Sequence, residues 1–297
     1  MPNVIFGQTT APNLGTASSF GVFTGAGAIT NDGNTVVNGD LGTFAGAITG
    51  FPPGIVTGTI YPVGDPYLNG VRADVEAAYT DLSNRTCGTV LTTPLGNGQI
   101  LTPGVYCIGS AATLEGGLIL DAQGDPNAIF IIQIGGAFST SANSTITLIN
   151  GACLSNVYWQ IGGAVELGAN SVFRGTIVAD GQIELLEGST LYGRALAISG
   201  AILLNNNDII VPADQAEAPI VALVQPTCEE PGSATITNYD PAYTYVFSPA
   251  GPVVDASGVI TGFTPGVTYT VTANNTDECA SAASAEFTIE EAEEAPA

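Results

Sequence analysis

The stretch NVYWQIGGAVELGANSVFRG, residues 156–175, decides the fold, because the two segments that follow repeat its layout. They are GTIVADGQIELLEGSTLYG (175–193) and RALAISGAILLNNNDII (194–210). The period of 18 to 19 residues is too short for a strand–helix–strand unit. It is typical of one coil of a β-solenoid, with three short strands and three turns. Three glycines hold the same place in the three repeats: Gly163, Gly181 and Gly200.

The first strand of each coil is apolar throughout, as in AIFIIQI (128–134) and VYWQI (157–161). Such a strand is covered on both sides. The cover is predicted to be a helix over residues 65–85, which Asp65 can cap and Pro66 can open. We therefore expect a mainly β protein: a right-handed parallel β-helix with one long α-helix along its first-strand face. One apolar stripe of the helix faces the strands: Leu68, Val71, Val75, Ala78, Tyr79 and Leu82.

The second and third strands alternate between apolar and polar residues, which predicts one face in the core and one in solvent. In the second strand, Val165 and Leu167 point inward and Glu166 outward. The inward residues of the third strand are predicted to be Val36, Ile146, Phe173 and Leu191. Its outward positions also include Arg174 and Tyr192. Small side chains of this strand and the preceding corner are predicted to form an exposed array: Asn34, Thr35, Val37, Asn143, Ser144, Thr145, Thr147, Ser171, Val172, Ser189 and Thr190.

The residue pattern changes after the last repeat. Residues 1–211 are predicted to be the β-helix domain and residues 212–218 a linker. Short alternating runs split by Pro and Gly in residues 219–290 predict a small β-sandwich of immunoglobulin type. Residues 291–297 form an acidic tail that we expect to be disordered.

The composition argues against several functions. Lys and Arg number 4 against 27 Asp and Glu, a net charge of −23, which disfavours nucleic acid and anionic membrane surfaces. The chain has no His, which removes the commonest general base and most zinc and copper sites. We predict no cofactor and no metal. No apolar run reaches the length of a membrane span, and the first ten residues do not have the pattern of a signal peptide.

The five cysteines are too widely spaced for a zinc ribbon or a CxxC motif. Cys87 follows the predicted helix and Cys107 lies in the next coil, so these two are predicted to pair, with Cys107–Cys153 as the alternative. Cys228 and Cys279 are predicted to close a long loop. Disulfides favour an oxidising setting, so we expect a secreted or cell-surface protein.

Several ordered motifs give the chain a resemblance to the bacterial and fungal ice-binding domain family. They run from residue 14 to residue 209 and cover about two thirds of the chain: LGTASSF (14–20), NGDLG (38–42), ITGFPPGIVTG (48–58), LTPGVYC (101–107), LDAQGDPNAIFIIQIG (120–135), NVYWQIG (156–162) and GRALA (193–197). The resemblance implies a discontinuous β-helix with a flanking helix, and adsorption to the surface of an ice crystal.

Two further expectations concern partners. The C-terminal module resembles domains of secreted bacterial surface proteins, which implies attachment to the cell surface. The chain is otherwise expected to be a monomer. The alternative function is a cell-surface adhesin or structural solenoid without strong ice activity.

The best enzyme-like feature is the pair Glu166 and Glu184, one coil apart. Neighbouring strands lie about 4.7–4.9 Å apart, a separation similar to that of the carboxylates in retaining glycosidases. We interpret the pair as exposed charges that prevent association, and we predict that the chain is not an enzyme. The segment DAQGDPN (121–127) lacks the spaced ligands of a calcium loop and is predicted to be a turn.

Overall fold

The computed structural model describes residues 10–213, 215–227, 230, 232–275 and 279–291. The chain divides into two compact units at the bond between Pro212 and Ala213. The first unit contains the helix α1 (Leu68–Asn84) and two short 3-10 helices, Gly15–Ser19 and Leu154–Asn156. No helix among the described residues is both long and apolar enough to cross a membrane.

The strands of the first unit are short, as the repeat predicts. In chain order they are β1 (Phe20–Thr24), β2 (Ile29–Asp32), β3 (Val36–Asn38), β4 (Asp40–Thr43), β5 (Ile48–Thr49), β6 (Ile55–Val56), β7 (Ile60–Tyr61), β8 (Thr89–Val90), β9 (Leu95–Gly96), β10 (Gln99–Leu101), β11 (Gly104–Ile108), β12 (Ala112–Glu115), β13 (Gly117–Asp121), β14 (Phe130–Ile134), β15 (Phe138–Thr140), β16 (Thr145–Ile149), β17 (Val157–Ile161), β18 (Val165–Leu167), β19 (Val172–Ala179), β20 (Ile183–Leu185), β21 (Thr190–Ala197), β22 (Ile202–Asn205) and β23 (Asp208–Ile210).

These strands form a parallel β-helix, which confirms the predicted fold. The second strands of all coils make one eight-stranded sheet in the order β5-β2-β22-β20-β18-β15-β12-β9. The first and third strands make two further walls, which are joined because β19 and β21 continue from the third wall into the first. Every strand pair in these walls is parallel, so the side chains of successive coils stack in rows.

The coils do not stack in chain order. The first coil lies against the last one, because β1 pairs with β21, β2 with β22 and β3 with β23. The second coil, with β4, β5 and β6, lies outside the first at one end of the stack. At the other end lie β8, β9 and β10. The β-helix is therefore discontinuous, as the family resemblance implies.

Helix α1 covers the first wall. It begins at Leu68, three residues later than predicted, because Asp65 caps a preceding turn by accepting a hydrogen bond from the Tyr67 N–H (2.9 Å). The predicted stripe is otherwise confirmed, with Tyr79 half-buried and the other members buried. The stripe packs on outward side chains of the first strands, including Phe23, Ile131, Val178 and Leu196.

One disulfide joins Cys87, just after α1, to Cys107 in β11. This confirms the first predicted pairing and rules out the alternative between Cys107 and Cys153. Beside it, the Gln133 side chain donates hydrogen bonds to the carbonyl oxygens of Leu82 (2.6 Å) and Arg85 (2.9 Å) at the C-terminus of the helix. The covalent link and these hydrogen bonds hold the end of α1 against the coils.

The described part of the second unit is built from short antiparallel strands. They form sheets in the orders β24-β25-β28-β27 and β26-β29-β30, which share one apolar core. An immunoglobulin type for this unit remains a prediction. Cys228 and residues 292–297 lie outside the described residues, so the Cys228–Cys279 bridge and the acidic tail are also still predictions. In chain order the strands are β24 (Val221–Val224), β25 (Ser233–Ile236), β26 (Thr244–Ser248), β27 (Val253–Val254), β28 (Val259–Thr261), β29 (Thr268–Asn274) and β30 (Phe287–Thr288).

The contact between α1 and the first wall predicts a stability effect. Leu82 is fully buried, so Leu82→Ala should lower the free energy of unfolding by about 2–5 kcal/mol. Chemical denaturation measures this change. Ser83→Ala, at an exposed position of the same helix turn, should change it by less than about 0.5 kcal/mol. Equal effects of the two variants would contradict the packing described here.

Candidate functional site

Helix α1 leaves two walls of the β-helix open to solvent. We call the outward side of the second sheet the second face and the outward side of the third strands the third face. The central row of the second face runs through one residue of each coil: Thr49, Thr30, Leu203, Glu184, Glu166, Ser139, Thr113 and Pro94, which is preceded by Thr93. The first row of the third face runs through Ile55, Val36, Asp208, Thr190, Val172, Thr145 and Gly117.

The second face is the more regular of the two. Its sheet continues through all eight strands in a single series of parallel pairs. Half of its central row carries short hydroxyl side chains. The Thr93 hydroxyl, beside the end of the row, lies 3.2 Å from the Thr113 hydroxyl and accepts a hydrogen bond from the Thr113 N–H (2.9 Å). Since neighbouring strands are separated by about 4.7–4.9 Å, the hydroxyls form a periodic array.

Two carboxylates interrupt this row. Glu166 and Glu184 are direct partners in adjacent strands. Glu166 is exposed and Glu184 is half-buried, and the Gln182 side-chain amide donates a hydrogen bond to Glu184 (3.2 Å). Leu203 is the next member of the row beyond Glu184. The uncharged hydroxyl positions are thus divided into two groups.

A shallow trough of about 510 Å³ runs beside one part of the second face. Its walls include exposed alanines at the corner that precedes the second strands, and its floor includes Phe138 and Val165. Its edge is lined by the row members Thr113, Ser139, Glu166 and Glu184 and by Thr93. Among the described residues, no three His, Cys, Asp or Glu side chains lie close enough together to hold a metal ion.

The corner between the second and third faces contains a left-handed residue in every coil. This residue has a positive φ and is Asn or Gly, the residue types that adopt this conformation at least cost. At Gly33 (φ 83°) a Cβ atom would lie 2.1 Å from the Asn206 side-chain oxygen of the neighbouring coil, so the corner also stacks tightly. The corner residues are Asn97, Gly116, Asn143, Asn170, Gly188, Asn206, Gly33 and Gly50.

This corner corrects three of the predicted array positions. Ser144, Ser171 and Ser189 are buried rather than exposed. Each follows a left-handed residue, which turns the chain so that the next side chain points into the core. Asn207 occupies the same place in the last coil and donates hydrogen bonds from its amide to the Ser189 hydroxyl (3.0 Å) and the Leu186 carbonyl (2.9 Å). The Asn207 side chain therefore links the corners of two neighbouring coils inside the core.

The first coil corrects two more positions. Thr35 and Val37 are fully buried, whereas Val36, predicted to be inward, is half-buried on the outward row. Val36 pairs with Asp208, which places Thr35 beside Asn207, and the Asn207 N–H donates to the Thr35 hydroxyl (3.1 Å). A shift of one residue in register moves every side chain of a strand to the opposite side.

The remaining predicted positions lie at the surface: Asn34, Asn143, Thr145 and Thr147 are exposed, and Val172 and Thr190 are half-buried. The strand pairing of the third wall is narrowest there, because β16 and β19 pair only between Thr145 and Val172.

The Arg174 side chain lies next to this narrow part of the third wall, between β16 and β19. It donates a hydrogen bond to the Ile146 carbonyl and lies 4.9 Å from the centre of the Tyr192 ring. Burial lowers the pKa of the Arg174 guanidinium, and the charge of Tyr192 has the opposite, smaller effect. An arginine remains protonated near neutral pH in spite of such a shift. The third face therefore carries a fixed cation and a bulky ring beside its small side chains.

The sequence prediction missed the hydroxyl row of the second face. A signal for it exists, because the first two coils both contain Gly-Ala-Ile-Thr, ending at Thr30 and Thr49. The inward Ile and outward Thr of this motif follow the same alternation as Val165 and Glu166. In the later coils, Glu166 and Glu184 occupy the same outward position, so the sequence pattern there indicates a charged surface and not a row of hydroxyls.

Comparison with known proteins identifies relatives of the first unit. The sequence model of a family described as Ice-binding-like matches residues 23–210. An ice-binding protein of Nostoc sp. (strain HG1) is 42% identical over 198 residues, which are 66% of this chain and 72% of that protein. The crystal structure of an ice-binding protein from an Antarctic biological consortium has a TM-score of 0.66 at 38% identity and covers 69% of this chain and 93% of its own. An ice-binding protein of the ascomycete Antarctomyces psychrotrophicus has a TM-score of 0.66 at 34% identity and covers 69% of this chain and 100% of its own.

The buried corner predicts a structural role for its amide. Asn207→Ala removes the donor to Ser189 and Leu186, so we expect the free energy of unfolding to fall by about 1–3 kcal/mol. Asn127→Ala, in an exposed turn, is the control and should have little effect. An Asn207→Ala variant as stable as the control would show that the corner does not depend on this side chain.

Proposed function

The chain belongs to the ice-binding-like family, and we propose that it adsorbs to ice through the second face of its β-helix. Family membership supports the activity, and the regular hydroxyl row supports the choice of surface. The alternative of a structural adhesin has no support from the relatives described above.

The unbroken second sheet is the observation that carries this proposal. A crystal surface presents the same arrangement of water molecules over a long distance, so a protein must match it with a rigid surface of constant period. The second face offers eight strands in register, with at least two residue pairs at each step, whereas the third wall narrows to a single residue pair between β16 and β19 and carries Arg174 and Tyr192. A preorganised surface loses little freedom on binding, which matters because each contact is weak.

The side chains of the row suit contact with ordered water. A hydroxyl group donates one hydrogen bond and accepts others, as a water molecule does. The methyl group of Thr restricts its rotamers, so its hydroxyl keeps one direction. Thr30 and Thr49 at one end, and Thr93, Thr113 and Ser139 at the other, can therefore hold water at fixed positions along the sheet.

We also propose that the protein is secreted or attached to the cell surface, that the C-terminal unit serves as the attachment, and that the chain acts as a monomer. The disulfide between Cys87 and Cys107 supports an oxidising location. The absence of enzymatic activity is likewise a proposal, supported by the non-enzymatic role that membership of this family implies.

The ice-binding proposal predicts a face-specific loss of activity. The unmodified full-length protein should facet single ice crystals and inhibit recrystallisation, both observed under a cold-stage microscope. Thr30→Tyr with Thr113→Tyr should abolish faceting, because bulky rings prevent close contact between the second face and a plane.

The matched control is Thr145→Tyr with Thr190→Tyr, which places two rings on the third face and should leave faceting intact. Circular dichroism must show that both variants are folded. The opposite pattern would move the adsorbing surface to the third face. Unfaceted disc growth with the unmodified protein at high concentration would refute ice binding itself.

The proposed lack of catalysis concerns the pair Glu166 and Glu184. We expect no release of reducing ends from a panel of β-linked polysaccharides, because no His, metal cluster or aromatic cleft accompanies the two carboxylates in the part of the chain that the structure describes. Hydrolysis that disappears in Glu166→Ala would falsify this prediction.

A further inference from the structure

We propose that Glu166 and Glu184 limit the affinity of the second face for ice by dividing its hydroxyl row into two short arrays. The inference rests on the proposed function and identifies the residues that set its strength.

The position of the pair in the sheet gives it this effect. Glu166 and Glu184 occupy neighbouring rungs in the middle of the row. On one side lies Ser139, followed by Thr113 and Thr93. On the other side Leu203 separates Glu184 from Thr30. Neither group of hydroxyls alone spans the eight strands of the sheet.

The chemistry of a carboxylate makes it a poor contact for ice. An ionised carboxylate only accepts hydrogen bonds, whereas the water molecules of a crystal surface both donate and accept. A carboxylate also holds its hydration water strongly, and removing that water without a compensating partner is costly. Adsorption across the middle of the row therefore either removes this hydration or leaves a gap over two rungs.

No cationic side chain neutralises the pair in the part of the chain that the structure describes. The protein has only four cationic side chains, and each of them binds elsewhere. Arg72 pairs with Glu76 in α1, and Arg85, just after the helix, pairs with Asp81. Arg174 bonds to the carbonyl of Ile146, and Arg194 is buried and donates to the carbonyl of Ser18. Two like charges directly opposite each other in adjacent strands also destabilise the sheet.

Protection against edge-to-edge association does not explain the pair. Charged residues serve that purpose on edge strands, where unpaired backbone groups would bind another chain. β18 and β20 are inner strands, each paired on both sides. The carboxylates lie instead on the broad surface of the sheet, where a planar binding partner would contact them.

The test is a full-length variant with Glu166→Thr and Glu184→Thr, which makes the hydroxyl row continuous except at Leu203. We expect the concentration needed to inhibit ice recrystallisation to fall by about tenfold, since modest contact changes produce this effect on an equilibrium constant. The melting temperature should also rise, because a repulsive pair is removed. A second variant, Glu166→Gln with Glu184→Gln, removes the charge but keeps the shape, and should give a smaller gain.

The control for net charge is Glu217→Thr with Glu286→Thr. Both residues are exposed in the C-terminal unit, and the substitutions change the net charge equally. We expect no gain in ice activity from this control. An equal gain in the control, or no gain in the Glu166 and Glu184 variants when the unmodified protein facets ice, would overturn this inference alone. Failure of the unmodified protein to facet ice would instead refute the proposed function, and the inference with it.

Discussion

The hydrogen bonding between stacked parallel strands is the constraint on which the rest of this protein depends. It sets the distance from one coil to the next, so any side chain that recurs in the coil recurs in space with the same period. The closed cross-section of the coil leaves three walls, of which α1 covers one. The properties of the other two walls follow from what lies at each outward position and from whether the ladder continues without a break.

The corner between the second and third faces keeps the walls in register. A left-handed Asn or Gly turns the chain in every coil. In four coils the small polar residue that follows is buried in the core: Ser144, Ser171, Ser189 and Asn207. Asn207, together with Thr35 and Ser189, satisfies backbone and side-chain groups that the corner would otherwise leave unpaired. These buried side chains help to keep the coils in register, but they are not part of either exposed face.

The repeat and the apolar first strand were enough to predict the β-helix and the covering helix. The positions of the cysteines favoured the Cys87–Cys107 disulfide but left Cys107–Cys153 open, and the structure decides between them. The inward residues of the second strand also followed from alternation. The inward residues of the third strand in the first coil did not follow from alternation, because the pairing of this strand depends on the path of the corner. One extra residue there exchanges the two sides of the strand, so that Val36 points outward and Val37 inward. Ser189 illustrates a second limit: an isolated strand pattern does not reveal that the preceding Gly188 has a positive φ, which turns the hydroxyl inward.

The unusual order of the coils has a consequence for how such a protein can grow. The first coil lies against the last one, and α1 returns the chain to the opposite end before the winding resumes. Both outer coils of the stack are thus internal to the chain, one before α1 and the other after it. Duplication at either terminus would not widen the planar surface. A larger protein of this architecture requires whole turns inserted within the chain, on one side of α1 or the other, together with a proportionally longer helix.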